Sequence, residues 1–222
     1  MQLDVKEVAS HLDVKEKEVY HWINRNKIPC FRVNDRYRFN GAELLEWAAA
    51  HHMRLHPHIL CGDSVLQVSV SDALTNGGIY YNIDHSDREL FLDRLMNLLP
   101  LPDNADRNFA REVIRRMPDL GLVNLGDGLL IPHVRHPLIA EVAAPALTLC
   151  FSAAGMPFNI SENGSAAAVF FLVTPDVHTH QRIVSKLSFL LEDESLRSAL
   201  FKQASPRDLL AVITRAEAEL LS

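Results

Sequence analysis

Two histidines, His133 and His180, stand 47 positions apart in settings that suit phosphoryl chemistry. His133 lies in the run GDGLLIPHVRHP, residues 126–137, with Arg135 two positions on. A neutral imidazole nitrogen is a nucleophile, and the permanently charged guanidinium can pair with phosphate oxygens. Together they suit taking and handing on a phosphoryl group. His180 follows Pro175 and Thr179 at the start of a helix expected over 180–192. A helix N-terminus favours a bound phosphate and disfavours protonated imidazole, which fits a neutral hydrogen-bond donor. His178 lies nearby, but no third ligand stands at a recognisable spacing, so no metal site is read. The chemistry requires no metal, nucleotide or other cofactor. His136 reads as solvent-facing rim.

A second constellation is basic. Arg25, Lys27, Arg32, Arg36 and Arg38 face only Asp35 as a nearby acid. Lys17, Tyr20, His21, Asn24 and Arg25 fall at spacings that share one polar helix face. Such a face beside Arg36 and Arg38 on an adjacent strand points to DNA, the arginines on phosphates and the helix toward base edges. Residues 1–50 hold eight basic and eight acidic side chains, so the whole formal charge of −6 lies downstream. The chain as a whole is therefore not built to coat nucleic acid; the basic stripe is local.

These residues must be positioned by folded units. A composition 48% hydrophobic and 23% charged is ordinary for globular domains, and 222 residues suffice for two unequal ones. No apolar run approaches a membrane span, and MQLDVKEVAS has no signal-peptide core. Cys30, Cys61 and Cys150 are odd in number and scattered, as suits a reducing cytoplasm. A linker is expected over 51–63, where His51, His52, His56 and His58 fall.

In the first unit, residues 1–50, Asp4 and Glu7 form a capping box before a helix striped by Val5, Val8, Ala9 and Leu12. Asp13-Val14 turns into a second helix, Glu16–Asn26, with Val19, Trp22 and Ile23 inward. Phe31, Val33, Tyr37 and Phe39 then alternate with Arg32, Arg36 and Arg38 about an Asn34-Asp35 turn, predicting a two-stranded wing with its arginines on the outer face. Ala42 to Ala50 closes the unit as a third helix. The segment resembles the winged helix-turn-helix of the excisionase and MerR-like family through Val5-x-Glu7-Val8-Ala9, Val19-Tyr20-x-Trp22-Ile23, Lys27-Ile28-Pro29 and Arg36-Tyr37-Arg38-Phe39. Asp13 replaces the family's usual turn glycine, and Lys15 replaces the usual Ser or Thr cap, exchanging a capping acceptor for a potential phosphate contact.

The second unit, residues 64–222, mixes helical and strand patterns. Helices are expected over 90–99, 106–117 and 180–192 and after Ser205-Pro206; strands over 129–131, 146–151 and 166–173. Gly126 and Gly128 around Asp127 predict a tight turn with positive φ, and Pro132 stops the strand that presents His133. The pattern predicts an α/β class, a layered mixed sheet flanked by helices.

This unit resembles the fructose–mannitol type of phosphotransferase-system enzyme IIA, including its nitrogen-regulatory branch. The matching features are the glycine turn and Pro-His-x-Arg of Gly126 through Arg135, the strand, Pro175 and His180, and the tail from Leu191 to Leu209. The resemblance implies that His133 accepts phosphate from an HPr-like phosphocarrier and that His180 hydrogen-bonds it. It breaks where the family carries Ser-Thr ahead of the glycine turn: here apolar Leu122 and Val123 stand there, which is expected to slow or remove phosphorylation. The expectation is a cytoplasmic regulator linking phosphotransferase-system state to transcription. It would bind DNA, the phosphocarrier and a regulatory protein partner, and work as a homodimer over two half-sites. Two other readings stay open: a plain phosphoryl-transfer component, and a degenerate module that docks a partner without phosphate.

Overall fold

The computed structural model describes residues 2–51, 53, 68–83, 88–120, 122–125, 128–132, 137–161 and 164–220. The chain starts with β1 (Gln2–Leu3) and α1 (Val5–His11), whose capping box is closed: the Glu7 N–H donates to Asp4 Oδ1 at 2.9 Å and the Asp4 N–H donates to Glu7 Oε2 at 2.7 Å. Asp13 takes φ of 53°, the left-handed conformation the turn into α2 (Glu16–Asn24) demands. Lys15 occupies the N-cap of α2 without a side-chain cap bond.

Next come β2 (Phe31–Val33) and β3 (Arg36–Asn40). Asn34 and Asp35, with φ of 49° and 60°, make the two-residue turn that matches strand twist. β3 also pairs with β1, making a three-stranded sheet that the sequence reading did not anticipate. The Asn40 side chain accepts from the Ala42 N–H at 3.0 Å and so caps α3 (Gly41–Ala50). Leu3, Val8, Val19, Phe39, Leu44, Leu45 and Ala48 are fully buried in one core. That core continues past α3, because Met53 packs on it and its N–H donates to the Ala48 carbonyl at 2.8 Å.

The larger part is a mixed sheet. α4 (Val70–Gly77) leads into β4 (Ile79–Ile83); α5 (Arg88–Leu98) and α6 (Arg107–Leu120) precede β5 (Leu122–Asn124), β6 (Leu129–Pro132) and β7 (Leu138–Ile139). A long hairpin, β8 (Ala146–Ser161) and β9 (Gly164–Thr174), forms its centre. Then come α7 (Val177–Leu190), α8 (Glu194–Phe201) and α9 (Pro206–Glu219), the last capped by Ser205. The strand order is β4-β8-β9-β6-β5, with β7 also on β9. β8–β9 and β5–β6 are antiparallel; β4–β8, β6–β9 and β7–β9 are parallel.

Strand alternation divides the core into two. Leu129, Ile131, Leu147, Leu149, Phe170 and Leu172 face α4, α7, α8 and α9. Leu130, Cys150, Val169, Phe171 and Val173 face α5 and α6. This is the layered, mixed sheet flanked by helices that the patterns predict. Two details differ. α6 runs through Pro118 to Leu120, where the sequence suggested an end at Met117. The elements α4, β4, β5 and β7 went unread, being too short or too weakly patterned to stand out.

α3 belongs to both units. Leu44, Leu45 and Ala48 point into the first core, whereas Ala42 is buried in the core of α7 and the sheet, and Ala50 packs against it. α3 lies along α7 and reaches β5, the edge strand. The first unit's closing helix thus extends the helical layer over the edge of the second unit's sheet.

Candidate functional site: the sheet end at His180 and the exposed face of the helix-turn-helix

β6 and β9 run parallel, with Leu129 opposite Ala168 and Leu130 opposite Val169, so their carboxyl ends point the same way. Gly128 enters β6 with φ of 76°, the left-handed backbone expected of the glycine turn. β6 ends at Pro132; the described chain resumes at Pro137 and pairs Leu138 with Val173 and Ile139 with Thr174. The segment between, which holds His133, Arg135 and His136, lies outside the described residues, as do Gly126 and Asp127. Its two ends are both fixed against β9. Three residues beyond the end of β9, α7 begins, and it carries His180 fully buried in its first turn. The flanks of the His133 segment and the buried His180 therefore share one end of the sheet.

The start of α7 corrects one expectation. Asp176, not a residue beside His180, is the N-cap. Its carboxylate accepts from the Thr179 N–H at 2.8 Å and the Thr179 hydroxyl at 2.7 Å, which holds its pKa below the usual carboxylate value. The helix starts at Val177, so His180 is its fourth residue and its N–H donates to the Asp176 carbonyl at 3.2 Å. His180 offers its ring rather than a spare amide. His178 is exposed.

Lys17, Tyr20, His21 and Asn24 are exposed on α2 and Arg25 at its C-cap, over the buried Val19 and Ile23. The Tyr20 ring meets Tyr37 of the wing edge-on at 6.2 Å, joining the helix face to the sheet. The wing's arginines are arranged otherwise than expected. With Asn34-Asp35 as a two-residue turn, Val33 lies opposite Arg36 and Phe31 opposite Arg38. Directly opposed residues share a face, so Arg36 and Arg38 project beside the exposed Phe31 and Val33. Arg32 lies on the other face, opposite Tyr37, with its guanidinium 5.3 Å from that ring's centre. The single-face reading failed because it ran the alternation straight through the turn. Arg36 is exposed and Arg38 half-buried.

Residues 73–216 match the family described as phosphoenolpyruvate-dependent sugar phosphotransferase system, EIIA 2. The chain belongs to that family. Residues 3–52 match a helix-turn-helix domain, so an HTH unit is fused to an EIIA unit. Among solved structures, nitrogen regulatory protein IIA-Ntr from Neisseria meningitidis is similar, with a TM-score of 0.53 and 19% identity over 65% of this chain and 98% of that one. That likeness establishes the shared fold. Among curated proteins, no sequence relative matches. Among the described residues, no helix is long and apolar enough to cross a membrane.

The sequence reading passed over the place where the two units meet. Trp47 stacks on His51 at 4.7 Å and tilts against Trp22 at 5.3 Å, and its indole N–H donates to the Lys27 carbonyl. Trp47, Glu43, Glu46, Ala50 and Pro29 of the HTH unit and the adjoining His51, with Val123 of the EIIA unit, line a cleft of about 310 Å³. The available signal was the apolar Val123 itself: a residue departing from the family's hydroxyls sits where the other unit docks.

Proposed function

We propose that this protein is a cytoplasmic regulator in which the EIIA unit, residues 64–222, carries a phosphoryl group on His133. The HTH unit, residues 1–50 with Met53 packed on its core, reads DNA, and the rest of 51–63 joins the two. The observation that carries this reading is the shared end of the sheet: the chain on either side of His133 is fixed to β9, and His180 is buried where the helix after β9 begins. The donor is an HPr-like protein bearing a phosphohistidine. The lone pair of neutral His133 forms the new N–P bond as the donor's N–P bond breaks. A donor that enters with its other ring nitrogen protonated leaves as neutral imidazole, and His133 becomes the phosphorylated imidazolium, so no proton is left over. Arg135 and His180 steady the equatorial oxygens.

Incubation with the general phosphotransferase proteins and labelled phosphoenolpyruvate tests this. Wild type is expected to take up acid-labile phosphate, His133→Ala none, and His180→Ala a reduced amount. Equal labelling of wild type and His133→Ala would remove the assignment.

A second reading, a module that docks a partner without phosphate, is favoured by Leu122 and Val123, which leave the edge strand without the family's hydroxyls. Absence of label under the same conditions would select it.

A further inference from the structure

We propose that α3 is the element through which phosphate on the EIIA unit is sensed by the HTH unit, and that phosphorylation loosens its docking. This rests on the reading of His133 as phosphoacceptor. α3 touches the two elements that flank the phosphate site: α7, whose first turn holds His180, and β5, whose Val123 pairs with Ile131, two residues before His133. Its docking stripe, Ala42, Glu46 and Ala50, recurs every four residues, as one helix face requires. Small Ala42 and Ala50 let the helices approach, and both pack on the core of α7 and the sheet. Opposite them, Leu44, Leu45 and Ala48 are fully buried in the HTH core, so α3 cannot shift without carrying the DNA-reading unit with it.

The sign follows from charge. Glu43 and Glu46 line the cleft against Val123, and Glu46 is only 4% exposed. A phosphohistidine adds about −1.5 to −2 charges at the sheet end that β5 and α7 flank, and α3 brings Glu43 and Glu46 onto those same two elements, so phosphorylation sets like charge against like across the docking face. Beyond the joint the EIIA unit is anchored on the same helix: Lys186 of α7 donates to the Val68 carbonyl at 2.8 Å. A released HTH unit therefore stays tethered and redocks once phosphate leaves.

The chain holds two tryptophans, Trp22 and Trp47, so in a Trp22→Phe background all tryptophan emission comes from the docking cleft. Acrylamide quenching of that emission and amide exchange of residues 41–50 are measured on the full chain before and after phosphorylation. The expected result is readier quenching and exchange about tenfold faster, the size of an ordinary coupling. Glu46→Gln should take up label yet show a smaller response. Ala50→Arg, which wedges the docking face and leaves the HTH core intact, should show the loosened values without phosphate; circular dichroism and the labelling yield check that it folds. Label on His133 with α3 unchanged would overturn the coupling and leave the phosphoacceptor reading standing. No label at all would overturn the phosphoacceptor reading, and the coupling with it. Exchange in Ala50→Arg equal to wild type would show that this face does not hold the units together.

Discussion

Lys186 and Glu217 meet at 2.9 Å with side chains only 3% and 9% exposed. Glu217 also accepts from the Val70 N–H at 2.7 Å, the Ser71 N–H at 3.1 Å and the Ser71 hydroxyl at 2.6 Å. One carboxylate therefore caps α4 and joins α9 to α7. Leaving one partner of such a pair buried alone is costly, so Lys186→Met should destabilise the chain by about 3–5 kcal/mol in urea denaturation. The double replacement Lys186→Met, Glu217→Leu should cost less than that single change. Burial pushes the Glu217 pKa up, but the bonds from Ser71, Lys186 and Val70, with the lysine's charge, outweigh it and leave the value lowered. Its stabilising effect is thus full above the unfolded value of about 4.3 and drains away as pH falls through the lower folded value. Melting temperature against pH should fall steeply there for wild type, and less so for Glu217→Gln. Nothing in the sequence marks these two residues, 31 positions apart on amphipathic helices, as partners. The capping box of Asp4 and Glu7, in contrast, is a local pattern of three-residue reach, and it was readable.

At the scale of elements, local chemistry was legible and register was not. The caps at Asp4 and Ser205, the left-handed Asp13, the turn at Asn34-Asp35 and the glycine turn at Gly128 all follow from residue type. Which face an arginine occupies depends on how a two-residue turn sets the cross-strand pairs, and the Asp176 cap sets the start of α7 at Val177, three residues ahead of the expected start at His180. Gly77, at the end of α4, shows packing overriding propensity. A Cβ there would lie 2.2 Å from the Leu147 carbonyl oxygen of β8. Alanine would favour the helix by about 0.5–1 kcal/mol, but pushing α4 off β8 costs about 1–3 kcal/mol, so Gly77→Ala is expected to lower the melting temperature. Lys15→Ser tests the opposite balance on α2. The new cap should stabilise the HTH unit by about 1 kcal/mol in thermal melts, while DNA affinity falls through the lost cation.

Over the whole molecule, the HTH unit is formally neutral and the EIIA unit carries the −6. DNA binding therefore rests on a few placed cations. Arg36→Ala should weaken binding to all duplexes and lower the slope of log affinity against log salt by about one, whereas Asn24→Ala should change which sequence is selected from a random library. The proposed phosphate on His133 would act on the HTH unit by one of two routes, a long-range field or a contact. A field is screened beyond about 8 Å at physiological salt, so a phosphate effect on DNA affinity that persists as salt rises identifies the contact route through α3. The two-sided burial of α3 also has a consequence in time. The HTH core is complete once Met53 has been made, but the surface that covers Ala42 and Ala50 includes α7, which ends at Leu190. At ordinary synthesis rates, on the order of ten seconds separate the two events. For that interval the nascent chain presents a finished DNA-reading unit whose outer helix is bare, free to meet DNA or a chaperone before its own second half exists to hold it.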